Sequence, residues 1–367
     1  MIILSGIGGG IRQPVTSGVS LPAGLLDGAS FTINGSGFGN QLPNQVLFDN
    51  FDGKGQTITP DSTVLSAANC NFNNFGTVNP SARFTNIMTR GSSYCADIFY
   101  GGGNHTLQKA GIPSFDDYRI SFAWAVPPGY YFPDTGSAYT FPTSSALKNC
   151  WITVNGQNGA TQNGDDLVPL SWNQRWQTGG NDTLTPNNPA LVTGLTVGSP
   201  DPSPTGAFSW DVWNKFTIIF RQLGTPGVDS VVIDWYNFTP DYGMWHQQRT
   251  YTASRFYSAS GRNPAGYGNV AANMWKRGNP AGDSRKILLA DYMITTQSNC
   301  AARVEIGNAS TYDACTDIAD CEVTSWVNDA IGGTIRKGGF DLGGSPGSLW
   351  IYVHDNTDTE IFSEQIN

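Results

Sequence analysis

Only three histidines occur, His105, His246 and His354. One sits in the densest run of groups able to move a proton: Trp245-His246-Gln247-Gln248-Arg249, with Tyr251 nearby. An imidazole titrates near neutrality and can act as a base. The plain alternative is a structural or surface histidine. His105, within Gly-Gly-Asn-His-Thr, reads as a turn residue.

Carboxylates are the next candidates. Asp116/Asp117 and Asp165/Asp166 are adjacent pairs. Neighbours on a strand point to opposite faces, so neither pair can act as a facing dyad, and both read as turn or loop residues. Only four glutamates exist, Glu305, Glu322, Glu360 and Glu364, and none precedes residue 305. Asp355-Asn-Thr-Asp-Thr-Glu360 sets oxygen ligands in a row. Asp355, Asp358 and Glu360 could hold calcium weakly, although the segment lacks the EF-hand glycine and a solvated turn is favoured. No G-x-S-x-G elbow, HExxH or dinucleotide fingerprint is present. Six cysteines (Cys70, Cys95, Cys150, Cys300, Cys315, Cys321) lack C-x-x-C spacing, which argues against zinc and thioredoxin-type sites. Cys300, Cys315 and Cys321 are close enough in sequence for any two to bridge, and free buried thiols are the alternative.

Sugar binding needs aromatic platforms beside planar polar groups. Trp124, Tyr130 and Tyr131 (AWAVPPGYYF), Trp172 and Trp176 (SWNQRW) and Trp245 meet that description. Core packing or a subunit contact is the competing use. Trp210, Trp213, Trp235 and Trp350 lie in strand-like runs and read as core.

The elements that must position these groups read as strands. Gly (44) and Pro (21) punctuate the chain every few residues, as short strands joined by turns require. Charged residues are only 13% and the formal charge is −9. This argues against nucleic acid and anionic membranes, which need basic patches. The opening MIILSGIGGG lacks a basic n-region, and no apolar stretch is long enough to span a bilayer, so neither a signal peptide nor a membrane segment is expected. Strands are expected at 118–124, 151–154, 216–220, 231–236, 287–294, 302–306 and 349–353. Several are near-continuous apolar runs that suit burial between two sheets. Two glycine-free stretches, 244–260 and 317–330, are expected to hold short helices, the second capped by Asp317.

Residues 28–39, GASFTINGSGFG, resemble the opening of IPT/TIG-type immunoglobulin-like domains. The middle resembles a concanavalin A-like lectin/glucanase jelly roll, through VLFDNFDG, the pair WNKFTIIFRQ and VVIDWYNF, and KILLADYMIT. ARVEIGNAST and LWIYVHD are similar to the remaining strands of the Ig-like unit. The resemblance implies an all-β protein: a jelly-roll β-sandwich at 46–295 inserted into a smaller Ig-like β-sandwich made from 1–45 and 296–367. The restriction of Glu to the last part of the chain agrees with that division.

Laminarinase-type jelly rolls carry two Glu in an E-x-D-x-x-E strand, which a region without Glu cannot supply. Jelly-roll polysaccharide lyases use His or Tyr beside a neutralising Arg or Asn, which here points to His246, Arg249 and Tyr251. Their R-x-E-x-R and Q-x-H strands are absent. The overall pattern resembles tailed-phage or environmental virion surface proteins. The expectation is a non-enzymatic structural protein of a particle surface, possessing a glycan-binding option and partnered by other subunits in a homo-oligomer or a virion. A lyase using His246 and Arg249, or a secreted bacterial lectin or adhesin, is the alternative.

Overall fold

The computed structural model describes residues 15–21, 26–76, 82–98, 105–112, 117–125, 127–128, 147–153, 167–172, 184–186, 211–224, 230–251, 269–274, 286, 288–340, 342 and 348–366, with backbone alone at 15–17, 74, 76, 105–106, 147–153, 167–172, 184–186, 231, 247, 249, 251 and 269–274. Strands are numbered in chain order.

The largest sheet holds eight strands: β3 (Asn44–Asp49), β5 (Arg83–Thr85), β6 (Cys95–Asp97), β8 (Tyr118–Ala125), β12 (Asn214–Gln222), β13 (Val231–Thr239), β14 (Gly243–Tyr251) and β16 (Leu288–Thr296). Their order is β14-β13-β12-β8-β16-β6-β5, with β3 also on β16. A second, six-stranded sheet runs β11 (Leu184–Pro186), β10 (Leu167–Trp172), β9 (Leu147–Thr153), β15 (Asn269–Met274), β7 (His105–Lys109) and β4 (Asn74–Gly76). The two pack face to face. Alternate residues of the large sheet form one wall of the core: Tyr118, Ile120, Phe122 and Trp124 on β8, Phe216, Ile218 and Phe220 on β12, Ile233 and Trp235 on β13. Leu107 on β7 and Phe75 on β4 meet them from the other sheet. Rings interlock in this core, Tyr118 stacking on Phe220 at 4.8 Å and Phe122 on Tyr292 at 5.3 Å.

A smaller sandwich follows the same logic. One sheet orders β1 (Val15–Ser20), β2 (Ser30–Ser36), β20 (Ala330–Thr334) and β19 (Glu322–Val327). The other orders β18 (Ile318–Asp320), β17 (Arg303–Gly307), β21 (Trp350–His354) and β22 (Glu360–Gln365). Phe31, Ile33, Val304, Ile306, Val323, Trp326, Ile331, Ile351 and Val353 share its core. β2 near one end of the chain pairs with β20 near the other, in register from Ser30↔Thr334 to Asn34↔Ala330.

The protein is therefore all-β and built on antiparallel sheets packed as sandwiches. Each strand run read from the apolar pattern falls on an observed strand. The expected helix at 317–330 does not form, and the described part of the one expected at 244–260 is strand. Residues 244–251 belong to β14, nine residues paired without a break to β13; 252–260 lie outside the described residues. Residues 318–320 and 322–327 are strands as well. There, Val323 and Trp326 turn into the core across a bulge and a two-residue Asn328-Asp329 turn closes the hairpin. His105 opens β7 instead of sitting in a turn. Cys70, Cys95, Cys300, Cys315 and Cys321 are buried free thiols. Burial pushes Cys70 and Cys321 up to about 12, so these groups pack as small apolar residues. The side chain of Cys150 lies outside the described residues. Among the described residues no helix is long and apolar enough to cross a membrane.

Candidate functional site

Strand alternation sends a second set of residues to the outer face of the large sheet: Arg119 and Ser121 on β8, Lys215, Thr217, Ile219 and Arg221 on β12, Asp234, Tyr236 and Phe238 on β13, Met244, His246, Gln248 and Thr250 on β14. The smaller sandwich sits on this face. Ile219, Tyr236 and Phe238 pack with Ala301, Tyr312, Cys315, Ile318 and Tyr352.

Between these apolar contacts lies a layer of buried charge. Arg119 Nη2 donates to Glu305 Oε1 at 2.9 Å and also to Asp320 Oδ1. Lys215 Nζ stands 2.8 Å from Asp320 Oδ2, and Ser121 Oγ donates to the same oxygen at 2.7 Å. Arg303 Nε donates to Glu305 Oε2 at 2.8 Å, as does the Tyr312 hydroxyl. Arg303 Nη1 reaches Asp358 Oδ1 at 2.6 Å, and the Tyr236 hydroxyl donates to Asp358 Oδ2 at 2.7 Å. Arg90 adds a second tie, with two bonds of 2.7 Å to Asp317, one of 2.9 Å to the Ile318 carbonyl and one of 2.8 Å to Asp291. Asp291 occupies a bulge of β16 at φ +47, a conformation Asp tolerates better than most residues.

Each charge there is set by its neighbours. Burial works against the ionised Asp320 carboxyl, but Arg119 and Lys215 outweigh it and hold Asp320 well below the usual carboxylate range. Burial works against the Arg119 cation too, and Asp320 and Glu305 overcome it. His354, enclosed beside this layer, has its pKa lowered well below 6.5 by burial and then by Arg303 and Arg119. It is held neutral. Its Nδ1 is 3.7 Å from Glu305 Oε2, and its ring meets Tyr312 edge-on at 4.5 Å.

At the β14 edge the same face opens. Asp234 accepts from Arg221 Nη2 at 2.8 Å and Gln248 Nε2 at 2.7 Å, and meets His246 Nε2 at 3.1 Å. Burial would raise its pKa, but the bonds from His246, Gln248 and Arg221 win and lower it. An ionised carboxylate only accepts, so Nε2–H of His246 donates and Nδ1 is left as the basic atom of the ring. The ring stacks on Tyr236 at 4.2 Å, and its side chain is 36% exposed. Tyr236 itself is pushed up by burial and then by Asp358, so it cannot exchange protons near neutrality. Gln248 and Thr250 continue the exposed polar row.

The other sequence candidates scatter. By the period of two, positions 249 and 251 lie on the face of β14 shared by Trp245, opposite to position 246. Position 246 thus stands on the other face of the strand from positions 249 and 251, and the Arg249 and Tyr251 side chains lie outside the described residues. Trp124 is wholly buried in the main core, where no sugar can stack on it. Trp245 is half-buried against that core. The side chain of Trp172 in β10, and all of Tyr130, Tyr131 and Trp176, lie outside the described residues. Residues 155–166 and 177–207 also lie there, apart from β11. Asp355 Oδ1 closes its own turn, accepting from the Thr357 and Thr359 amides at 2.8 and 3.0 Å. Asp358 is engaged by Arg303 and Tyr236. Asp355, Asp358 and Glu360 are thus not gathered as calcium ligands, and no group of three or more His, Cys, Asp or Glu placed to hold a metal occurs among the described residues. The sequence reading missed Arg119, Lys215, Glu305 and Asp320. Their signal was a polar residue at every second position of runs otherwise fit for a core: Arg119 and Ser121, then Lys215 and Thr217.

No family model matches the chain, and no curated protein matches it. Among solved structures, the chain is similar to the marine PL-14 alginate lyase from Aplysia kurodai, at 13% identity and a TM-score of 0.41 over 66% of this chain and 100% of that one. It is also similar to the alginate lyase vAL-1 from Chlorella virus (12%, TM-score 0.27, 55% and 89%) and to the exoplasmic/lumenal domain of VIP36 in its Ca2+-bound form (13%, TM-score 0.30, 72% and 94%). None of these likenesses assigns a role to a residue of this chain.

Proposed function

We propose that this is a non-enzymatic contact protein of a particle or extracellular surface, able to bind glycans through its exposed polar row. We also propose that it divides into a jelly roll at 46–295 and an Ig-like sandwich from 1–45 and 296–367. The observation that carries the functional reading is the buried ion layer. It commits the outer face of the large sheet to the smaller sandwich, so the charged groups there grip one another and none is offered to a substrate. What remains exposed is His246, Gln248 and Thr250, groups suited to hydrogen-bonding sugar hydroxyls. The test is incubation of the purified chain with neutral and uronic polysaccharides, alginate included, while unsaturated or reducing sugar products and binding are followed. Binding without turnover is expected; turnover by the pure protein overturns the reading.

A lyase is the second reading, and the Asp234–His246 pair favours it. A carboxylate fixing one ring nitrogen leaves the other as a base. It requires turnover that His246→Ala abolishes while the fold persists.

A further inference from the structure

Edge strands invite pairing with other chains, and natural sheets blunt them by shortness, charge, proline or bulges. In this molecule β4, β5, β11 and β18 are three residues long. β1 carries a bulge at Thr16/Gly18, and β19 one at Val323/Ser325. β3 meets an irregular register at Ile294/Thr295 and ends in Asp49. β22 carries Glu360 and Glu364 beside a shift at Val353/His354. β14 is neither short nor bulged, and its one formal charge is Arg249. It runs nine residues, pairs with β13 without one break from Val231↔Tyr251 to Thr239↔Gly243, and contains neither Lys nor Pro. Among the described residues nothing pairs with its other side.

We propose that β14 docks a second copy of this chain. The two β14 strands pair antiparallel about a two-fold axis at Gln247, joining two eight-stranded sheets into one. This deepens the contact reading, on which it rests. An antiparallel pair about a two-fold normal to the sheet sets residues of one face opposite each other, so only even registers are allowed. The Gln247-centred register is the one that uses all nine residues. It sets His246 opposite Gln248 of the second copy, and Arg249 opposite Trp245. The single formal charge of each strand thereby stands at a position opposite Trp245 and not opposite its own copy. A register centred on Arg249 would oppose like charges and shorten the ladder. A strand of the same sequence thus suits this edge without any like-charge clash. The Asp234–His246–Gln248 groups of the two copies become neighbours across strands about 4.8 Å apart, which doubles the polar platform.

Sedimentation velocity on the full chain, with Gln247→Lys and Gln247→Cys variants, tests this. The parent is expected to form a dimer in the micromolar range. Gln247→Lys, which places two cations face to face on the axis, should weaken it at least about fivefold. Gln247→Cys should give a disulfide-linked dimer under mild oxidation, because opposed residues of an antiparallel pair lie about 4.5–5.5 Å apart. Val327→Cys, on the exposed β19, should not. A parent that stays monomeric, a dimer indifferent to Gln247→Lys, or slow amide exchange along β14 in a monomer (its own chain covering the edge) each overturns the proposal. Polysaccharide turnover would overturn the contact reading alone, since it leaves the sedimentation result unchanged.

Discussion

The outer face of the large sheet carries two polar regions built from the same residue types, and they differ in cover. Around Arg119, Lys215, Glu305 and Asp320, every side chain is nearly free of solvent. Around Asp234, Arg221 and His246 the carboxylate is buried, while His246 and Arg221 remain 36% and 18% exposed. Under cover, desolvation makes each charge depend on its partner, so the layer serves as a lock. At the edge, water substitutes for any partner removed, so the groups are free to meet something else. Residue type does not separate the two roles; burial does.

Breaking the covered region should have the largest effect. Asp320→Asn leaves Arg119 and Lys215 buried without their shared anion and should cost about 3–5 kcal/mol in chemical denaturation. Asp234→Asn at the edge removes one charge from a half-wet cluster, and about 1–3 kcal/mol is expected. A change of that size or less for Asp320→Asn would erase the contrast.

Acid should act through the covered region. His354 has a folded pKa lowered from 6.5, so the unfolded chain binds the extra proton. Its contribution is complete above about pH 6.5 and is lost progressively as pH falls below that value. His354→Gln should flatten this limb of the stability curve. Asp49 works in the opposite sense. Burial, opposed by the Asn71 and Phe51 amides, raises its pKa from 3.8 to about 6. Its stabilising effect is therefore complete below 3.8 and is lost as pH rises through about 6. Comparing Asp49→Asn with His354→Gln separates the two. The smallest effect belongs to His246→Ala, expected to cost under about 1 kcal/mol because its bond to Asp234 is partly exposed. A larger loss would place His246 in the lock.

Strands β8, β12, β13 and β16 of the large sheet were legible because their inner faces are apolar at every second residue and their runs end at Gly, Pro or Asn. β14 was not, since Met244, Trp245 and Tyr251 satisfy a helical spacing as readily as a strand, and only pairing with β13 decides. β19 hid behind a bulge that broke its alternation. The ion layer was written in the sequence as Arg119 and Lys215 inside apolar runs, but their partners Glu305 and Asp320 lie far along the chain, and no local pattern joins them. The His246 run was visible as a motif. Its partner Asp234 was not, since it comes from the neighbouring strand through a register that only the hairpin Thr239–Gly243 sets.

Scanning calorimetry reaches the central claim most directly. If the ion layer makes the smaller sandwich part of the large sheet's outer face, the intact chain melts in one transition whose calorimetric and van 't Hoff enthalpies agree, and Asp320→Asn splits it into two. Two separate transitions in the unaltered chain would contradict the account.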